Sequence, residues 1–509
     1  MNVVNDRYKG HTALSVDGSG WRLVEYTTRK ALGQTKTPGS FIRALPSVWT
    51  SRASRQTVRM LATIGRAESI MHDEPRALLR QAILASLPHL QPLVGQSLTQ
   101  YLVWRKLDDS RWHGEFQPRA DMVKVFREAR KQIKEASAAF CDSFPVRHPE
   151  YAGMVGFRGS QQNWANNHSH IVRSALWSLW RQHKTFDLSH AQVDAIVQEF
   201  ADFVDNPTVR LRFQAQLVNF KMPAESLAFP GGLLIRRLSE EEVSTFHGGP
   251  IATLGFVRPR FSGPYEFVVE GELDEPKMLG KNYPQGERMA DRAKSVLEKA
   301  VLCLRTFKEG HVGYDYIHFR PVTFCPIGFF PTVGYGDKYI PFGSYSLTTD
   351  EYEALMAHAK LIFACSEPAM EMACSRLADA ENRTRPEDRI IDAVIGMEAL
   401  LLAAIGPPKG ELRFRFSLNY TMLFPPEERE HAYHVAHDLY DLRSRIVHGS
   451  SLDEDKVQIA GAKLALSKAG KRATDALRTI IMHFLPEKGA QYKNHEFWQR
   501  AYFGLPKPP

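Results

Sequence analysis

The sequence predicts a mixed α and β, multidomain protein: a mainly helical N-terminal region, a middle α+β domain and a C-terminal all-α helical bundle. Three observations predict this. A length of 509 residues is enough for about three domains of ~150 residues. Hydrophobic residues make up 43% and charged residues 24%, an ordinary balance for globular protein. The spacing of apolar residues also changes twice, from helical to alternating near residue 206 and back near 348.

Residues 1–48 carry little helical period and several Gly, Pro and Thr, as an irregular or partly stranded basic arm would. Residues 49–205 read as a helical, basic domain. Leu78, Leu79, Ile83, Leu84 and Leu87 form one apolar stripe. Met122, Val125, Phe126 and Ile133 form another, opposite Lys124, Arg127, Arg130, Lys131 and Lys134. A helix over about 166–183 sets Trp177 and Trp180 three apart, a spacing that favours core packing over base stacking.

From 206 to 347 the texture is that of an α+β domain. Arg210 to Leu217 alternates with period two, as a half-buried strand does. Glu266–Gly271 and Tyr316–Phe319 read as further strands, with one helix over about 286–307. No phosphate loop and no dinucleotide fingerprint occurs here.

Residues 348–486 read as helices. Thr348-x-x-Glu351 is a capping box, and Pro368 restarts the chain. A helix over about 387–405 ends in the Gly406–Gly410 turn, and another covers 411–424. Pro425-Pro426 opens the next, which runs to His448 with Gly449 as its stop. Ser451-x-x-Glu454 is a second capping box. It precedes a last helix carrying Val457, Ile459, Leu464 and Leu466, then Leu477, Ile480 and Ile481. The tail, 487–509, is expected to fray.

The net charge is +8, and residues 1–180 hold 25 Lys/Arg against 14 Asp/Glu. The basic excess therefore lies in the N-terminal third. It suits either a nucleic-acid surface, with Lys124, Arg127 and Lys131 at its centre, or a solvated face. Five cysteines without a C-x-x-C pair argue for a reducing compartment and against zinc. No apolar leader or 20-residue apolar span is present, so a cytoplasmic location without membrane contact is expected.

The segment Leu439–Gly449, LYDLRSRIVHG, carries the most chemistry. His448 can move a proton near neutral pH, and Arg443 can hold a phosphate of growing charge. The spacing alone is weak, because Arg429/His434 and Arg478/His483 repeat it. Arg66/His72 and Arg305/His311 are one residue longer. The residues by themselves favour a structural role: Arg443 paired with Glu398 or Asp441, and His448 favouring the negative helix end. His431, His434 and His437 fall on one helix, but the outer two are about 600° apart, as on a solvated face rather than at a metal.

Three stretches set this segment apart: Arg389–Leu401 (with Glu398), Glu411–Leu418 and Leu439–Gly449. Together they resemble the HEPN superfamily, within it the Apea-like branch, over a little more than a quarter of the chain. The resemblance implies a HEPN-like bundle over 348–486 and a metal-independent endoribonuclease without cofactor, usually paired about a two-fold axis. It implies Arg443 and His448 as catalytic residues, with Ser444 where the family most often has asparagine. Glu398 would orient Arg443. The partners implied are an RNA substrate, tRNA among the candidates, and a second copy of the chain in a homodimer or higher oligomer.

Such nucleases commonly serve in bacterial antiphage defence or toxin systems, held inactive until triggered. The middle domain then becomes a candidate sensor for a phage-derived trigger. The alternative is a non-catalytic HEPN scaffold for dimerisation or RNA binding, and a third reading makes the basic helices a DNA-binding unit.

Overall fold

The computed structural model describes residues 12–17 and 20–25. Between 71 and 505 it describes all but 109–110, 158–159, 164–167, 248, 251–264, 280–287, 328–331, 334–342, 405–410, 450–456 and 487–490. The chain divides into two compact units, Met1–Ala67 and Glu68–Pro509. In the first, β1 (Thr12–Asp17) and β2 (Gly20–Glu25) pair as an antiparallel hairpin. Arg66, the Gly406–Gly410 turn and the Ser451-x-x-Glu454 box lie outside the described residues.

The second unit is mixed, with a sheet-containing middle region and a helical C-terminal region. It opens with α1 (Asp73–Gln96), whose Leu79, Ile83, Leu87 and Leu90 are buried. The chain then forms β3 (Leu98–Lys106) and β4 (Trp112–Ala120), a hairpin inside the stretch expected to be helical. Tyr101, Val103 and Trp104 fit a pleated surface better than a helix. The tryptophans Trp104 and Trp112 pack against the cluster of Leu238, Val243 and Val268.

The basic helix is a bent rod of three segments: α2 (Met122–Glu128), α3 (Arg130–Ala136) and α4 (Ala138–Arg147). It bends at Ala129 and Ser137, yet the main-chain bonds continue from Ala129 N to Val125 O and from Ser137 N to Ile133 O, each 3.0 Å. A short hairpin, β5 (Met154–Phe157) with β6 (Ser160–Asn163), precedes α5 (Ser169–His183) and α6 (His190–Asp205). Trp177 lies against Phe126 and Trp180 against Phe186, at ring separations of 5.4 and 5.3 Å. Both tryptophans are core packing.

The middle sheet has six antiparallel strands. Its centre is β7 (Thr208–Val218), followed in the chain by the two-residue β8 (Phe220–Lys221). Then come β9 (Ser226–Phe229), β10 (Leu233–Arg237), α7 (Glu240–His247) and β11 (Gly249–Pro250), which pairs with β3. Next are β12 (Phe267–Pro276), β13 (Met278–Leu279), α8 (Met289–Phe307), β14 (Gly313–Pro321), β15 (Thr332–Val333) and β16 (Tyr345–Ser346). The sheet order is β15-β14-β7-β12-β10-β9.

Alternation on β7 buries Val209, Leu211, Phe213, Ala215 and Leu217, and α8 packs on the neighbouring strands β12 and β14. The opposite face pairs charges across strands, Arg212 with Glu272 at 2.6 Å and Arg210 with Asp274 at 3.2 Å.

The C-terminal helices are α9 (Tyr352–Ala364), α10 (Pro368–Asn382), α11 (Pro386–Leu401), α12 (Leu412–Thr421) and α13 (Arg429–Val447). The capping box forms: Thr348 N donates to Glu351 Oε2 at 2.9 Å. α11 is central, packed against α10, α13 and α14 (Leu466–Phe484). It buries Ile390, Ala393, Val394, Met397, Leu400 and Leu401, as expected of a helix apolar on several faces. Gly396 permits the approach of α14, since a Cβ there would sit 2.7 Å from Leu477.

Two expectations fail in this region. Val457–Ile459 and Ala462–Leu464 are not helix but a hairpin, β17 and β18. Ala460 and Gly461, at φ 48° and 80°, make the two-residue turn with both angles positive that suits right-handed strand twist. The tail is also not frayed through its described part. α15 (His495–Tyr502) buries Phe497 and Trp498 against Phe484, and Trp498 Nε1 donates to Tyr492 O at 2.9 Å. Those aromatic residues are the burial signal that the proline-rich end obscured. One core runs from Met71 to Trp498. Among the described residues no helix is long and apolar enough to cross a membrane.

Candidate functional site

Helix α13 ends where the segment around Arg443 predicts. His448 is its C-cap, with N donating to Ser444 O at 3.0 Å, and Gly449 follows at φ 72°. A left-handed residue that stops the helix is most easily glycine. His448 is therefore presented at an exposed helix end.

Arg443 lies one turn back, on the side facing α11. Its Nη2 is 3.6 Å from Glu398 Oε2, and the two side chains are 26% and 23% exposed. Arg443 Nε is buried and has no hydrogen-bond partner among the described residues. Tyr440, one turn earlier on the same face, hydrogen-bonds Glu398, and its ring lies tilted against Phe416 at 5.1 Å. Burial pushes the Glu398 carboxyl up from its ordinary range, while Arg443 and the Tyr440 bond pull it back.

Sequence reasoning missed Tyr440, although its i,i+3 spacing from Arg443 is the signal that puts both on one helix face. Of the two acids considered for Arg443, Asp441 instead takes Arg413 at 3.0 Å. Ser444 is half-buried on the same helix.

Arg443 and His448 are not brought face to face by the helix itself. Five residues turn about 500°, which leaves their side chains starting roughly 140° apart. The group can hold an anion at Arg443 and move a proton at His448, but a single copy does not aim both at one point.

The rival pairs sit elsewhere. Arg478 and Arg305 are buried in the core beside Glu381. Arg429 Nε donates to Phe424 O at 3.2 Å. His431 Nε2 meets Arg472 at 2.9 Å, and the rings of His434 and His437 lie against Tyr433. Among the described residues no group of three or more His, Cys, Asp or Glu is placed to hold a metal ion.

On the bent basic rod, Lys124 and Lys131 each face a glutamate four residues on, Glu128 and Glu135, both at 3.9 Å. Arg127 is exposed between them. The two lysines are thus partly offset on their own helix face.

No family model matches this chain, and no curated protein or solved structure shows significant similarity to it.

Proposed function

We propose that this protein is a metal-independent endoribonuclease of HEPN type, acting through Arg443 and His448 at a cleft completed by a second copy. The observation that carries this reading is the setting of Arg443. It faces Glu398, itself hydrogen-bonded by Tyr440, beside an exposed histidine at a glycine-stopped helix end. An arginine with a quarter of its side chain exposed and one acid at 3.6 Å keeps guanidinium N–H groups for a further acceptor, and a phosphate oxygen supplies one.

RNA brings its own nucleophile, the 2′-hydroxyl. His448 takes the 2′ proton as that oxygen attacks phosphorus. The bond to the 5′ oxygen then breaks, and the leaving oxygen is protonated. The products are a 2′,3′-cyclic phosphate and a 5′-hydroxyl end. Arg443 stabilises the charge that grows on the phosphorane, and Ser444 supplies a hydrogen-bonding hydroxyl beside it. Two copies about a two-fold axis relieve the ~140° separation, because each copy's arginine can then meet the other's histidine.

We further propose an effector role in antiphage defence or a toxin system, restrained until triggered. The proposed chemistry lies at the C-terminal end, behind a sheet region and a basic helical region that carry none. On this view those regions sense the trigger or guide RNA, tRNA included.

The second reading, a non-catalytic HEPN scaffold, draws on the same Arg443–Glu398 contact taken as purely structural. Wild type, Arg443→Ala and His448→Ala decide between them. Under inducing conditions wild type is expected to cut total RNA or tRNA in the presence of a chelator and leave cyclic phosphate ends. Each variant should lose activity about 10²–10⁴-fold while still folding. RNA binding without cleavage, unchanged by His448→Ala and weakened by salt, would establish the scaffold instead.

A further inference from the structure

A cavity of about 240 Å³ lies between the α8–β14 loop, α10, α11 and the start of α14. Its lining includes His311, Glu381, Arg389, Lys468, Lys471 and Arg478. We propose that this cavity binds the phosphate group of a small hydroxylated phosphomonoester, such as a sugar phosphate. The proposal is independent of the ribonuclease reading.

Charge is the first argument. Four cations line the cavity against two carboxylates, Glu309 and Glu381. Glu309 is taken by Lys471 at 2.9 Å, and Glu381 is engaged by Arg478. Among the described residues Arg389 donates only to main-chain oxygens, those of Ala380 and Arg383, each at 3.2 Å. Among the described residues no carboxylate pairs with Arg389 or Lys468.

The start of α14 adds to this. Ala465 caps it with no side-chain bond, and no acid occupies its first turn. Lys468 stands in that turn and Lys471 in the next. Cations at the positive end of a helix are unfavourable unless an anion joins them.

Unsatisfied buried atoms point to the ligand's shape. Glu381 is 6% exposed, and its Oε2, 3.9 Å from Arg305 Nε, has no hydrogen-bond partner among the described residues. His311 Nδ1 is likewise buried without one. Buried polar atoms normally find partners. The imidazole can donate to a phosphate oxygen, and the carboxylate oxygen can accept from a ligand hydroxyl. A ligand with both groups satisfies both atoms.

Size limits the rest. The volume equals roughly eight waters and falls below the ~300–1,000 Å³ of drug-sized sites. It suits a phosphate with a small polyol and not a polynucleotide.

The test is titration calorimetry on the full chain at fixed ionic strength. The probes are ribose 5-phosphate, inorganic phosphate, sulfate and ribose. Ribose 5-phosphate should bind once per chain, inorganic phosphate should compete more weakly, and ribose should not bind. The double variant Lys468→Ala, Lys471→Ala should weaken binding at least about tenfold. Both lysines are exposed, so unfolding temperature should hold. Absence of saturable phosphate binding, sulfate binding as tight as ribose 5-phosphate, or binding unchanged in a folded double variant would each overturn the proposal.

Discussion

Arg478 and Arg443 each stand five residues before a histidine, and each meets a glutamate from another helix of the bundle. Arg478 is deep in the core. Its Nε donates to Arg305 O at 3.1 Å, Nη1 to Asp475 at 2.8 Å, and Nη2 to Glu381. The Arg478 and Glu381 side chains are only 10% and 7% exposed. Arg443 has one acid at 3.6 Å, a quarter of its side chain in solvent, and an unbonded Nε. A saturated, buried arginine holds structure, and it has nothing left for a substrate. A half-satisfied one at an exposed helix end can still accept a ligand. The shared spacing says nothing about which is which, because spacing along a helix does not record what the helix faces.

The comparison can be broken most sharply through the histidines. His448→Ala should reduce RNA cleavage about 10²–10⁴-fold. His483→Ala, at the same distance from its arginine, should leave cleavage at the wild-type level. Equal losses in a cleavage assay would erase the distinction.

Stability should reverse the ranking. Arg478→Ala leaves Glu381 buried without its main partner, and losing one member of a buried pair costs about 3–5 kcal/mol. Arg443→Ala removes a partly exposed contact and should cost less than about 1 kcal/mol. Urea unfolding of both variants measures this, and a larger loss for Arg443→Ala would assign that residue to the framework.

A smaller effect concerns pH. Burial raises the Glu381 carboxyl from 4.5 to about 7, against the pull of Arg478 and Arg305. A raised pKa means that the folded protein holds more protons than the unfolded chain between those values. The contribution of Glu381 to stability is therefore full below about 4.5 and declines as pH rises to about 7. Glu381→Gln should flatten that part of a stability–pH curve. An unaltered curve would mean that the two arginines keep Glu381 ionised throughout.

Much of the fold was legible because its signals are local. Period-two alternation marked β7, the Thr348–Glu351 box marked a helix start, and Gly449 marked a stop. Other elements were not legible, for reasons that can be named. Val457 to Leu464 carries apolar residues that a helix could also use, and the turn at Ala460-Gly461 decided for strands. Phe497 and Trp498 sit near a proline-rich end, and only the surface offered by Phe484 makes them core. The β3–β4 hairpin finds its packing partners in α7, more than a hundred residues further along the chain.

At the candidate site the sequence by itself determined the chemical inventory and its order: Arg443, Ser444, His448 and the glycine that ends the helix. Those follow from residue type and helical spacing, which are local properties. Only the tertiary structure decided that Glu398, and not Asp441, meets Arg443, and that Arg478 and Arg305 are locked around Glu381. It alone gathered His311, Arg389 and Lys468 around one cavity. Each of those outcomes depends on which helices pack together, and the free energy of that packing is summed over side chains far apart in the chain.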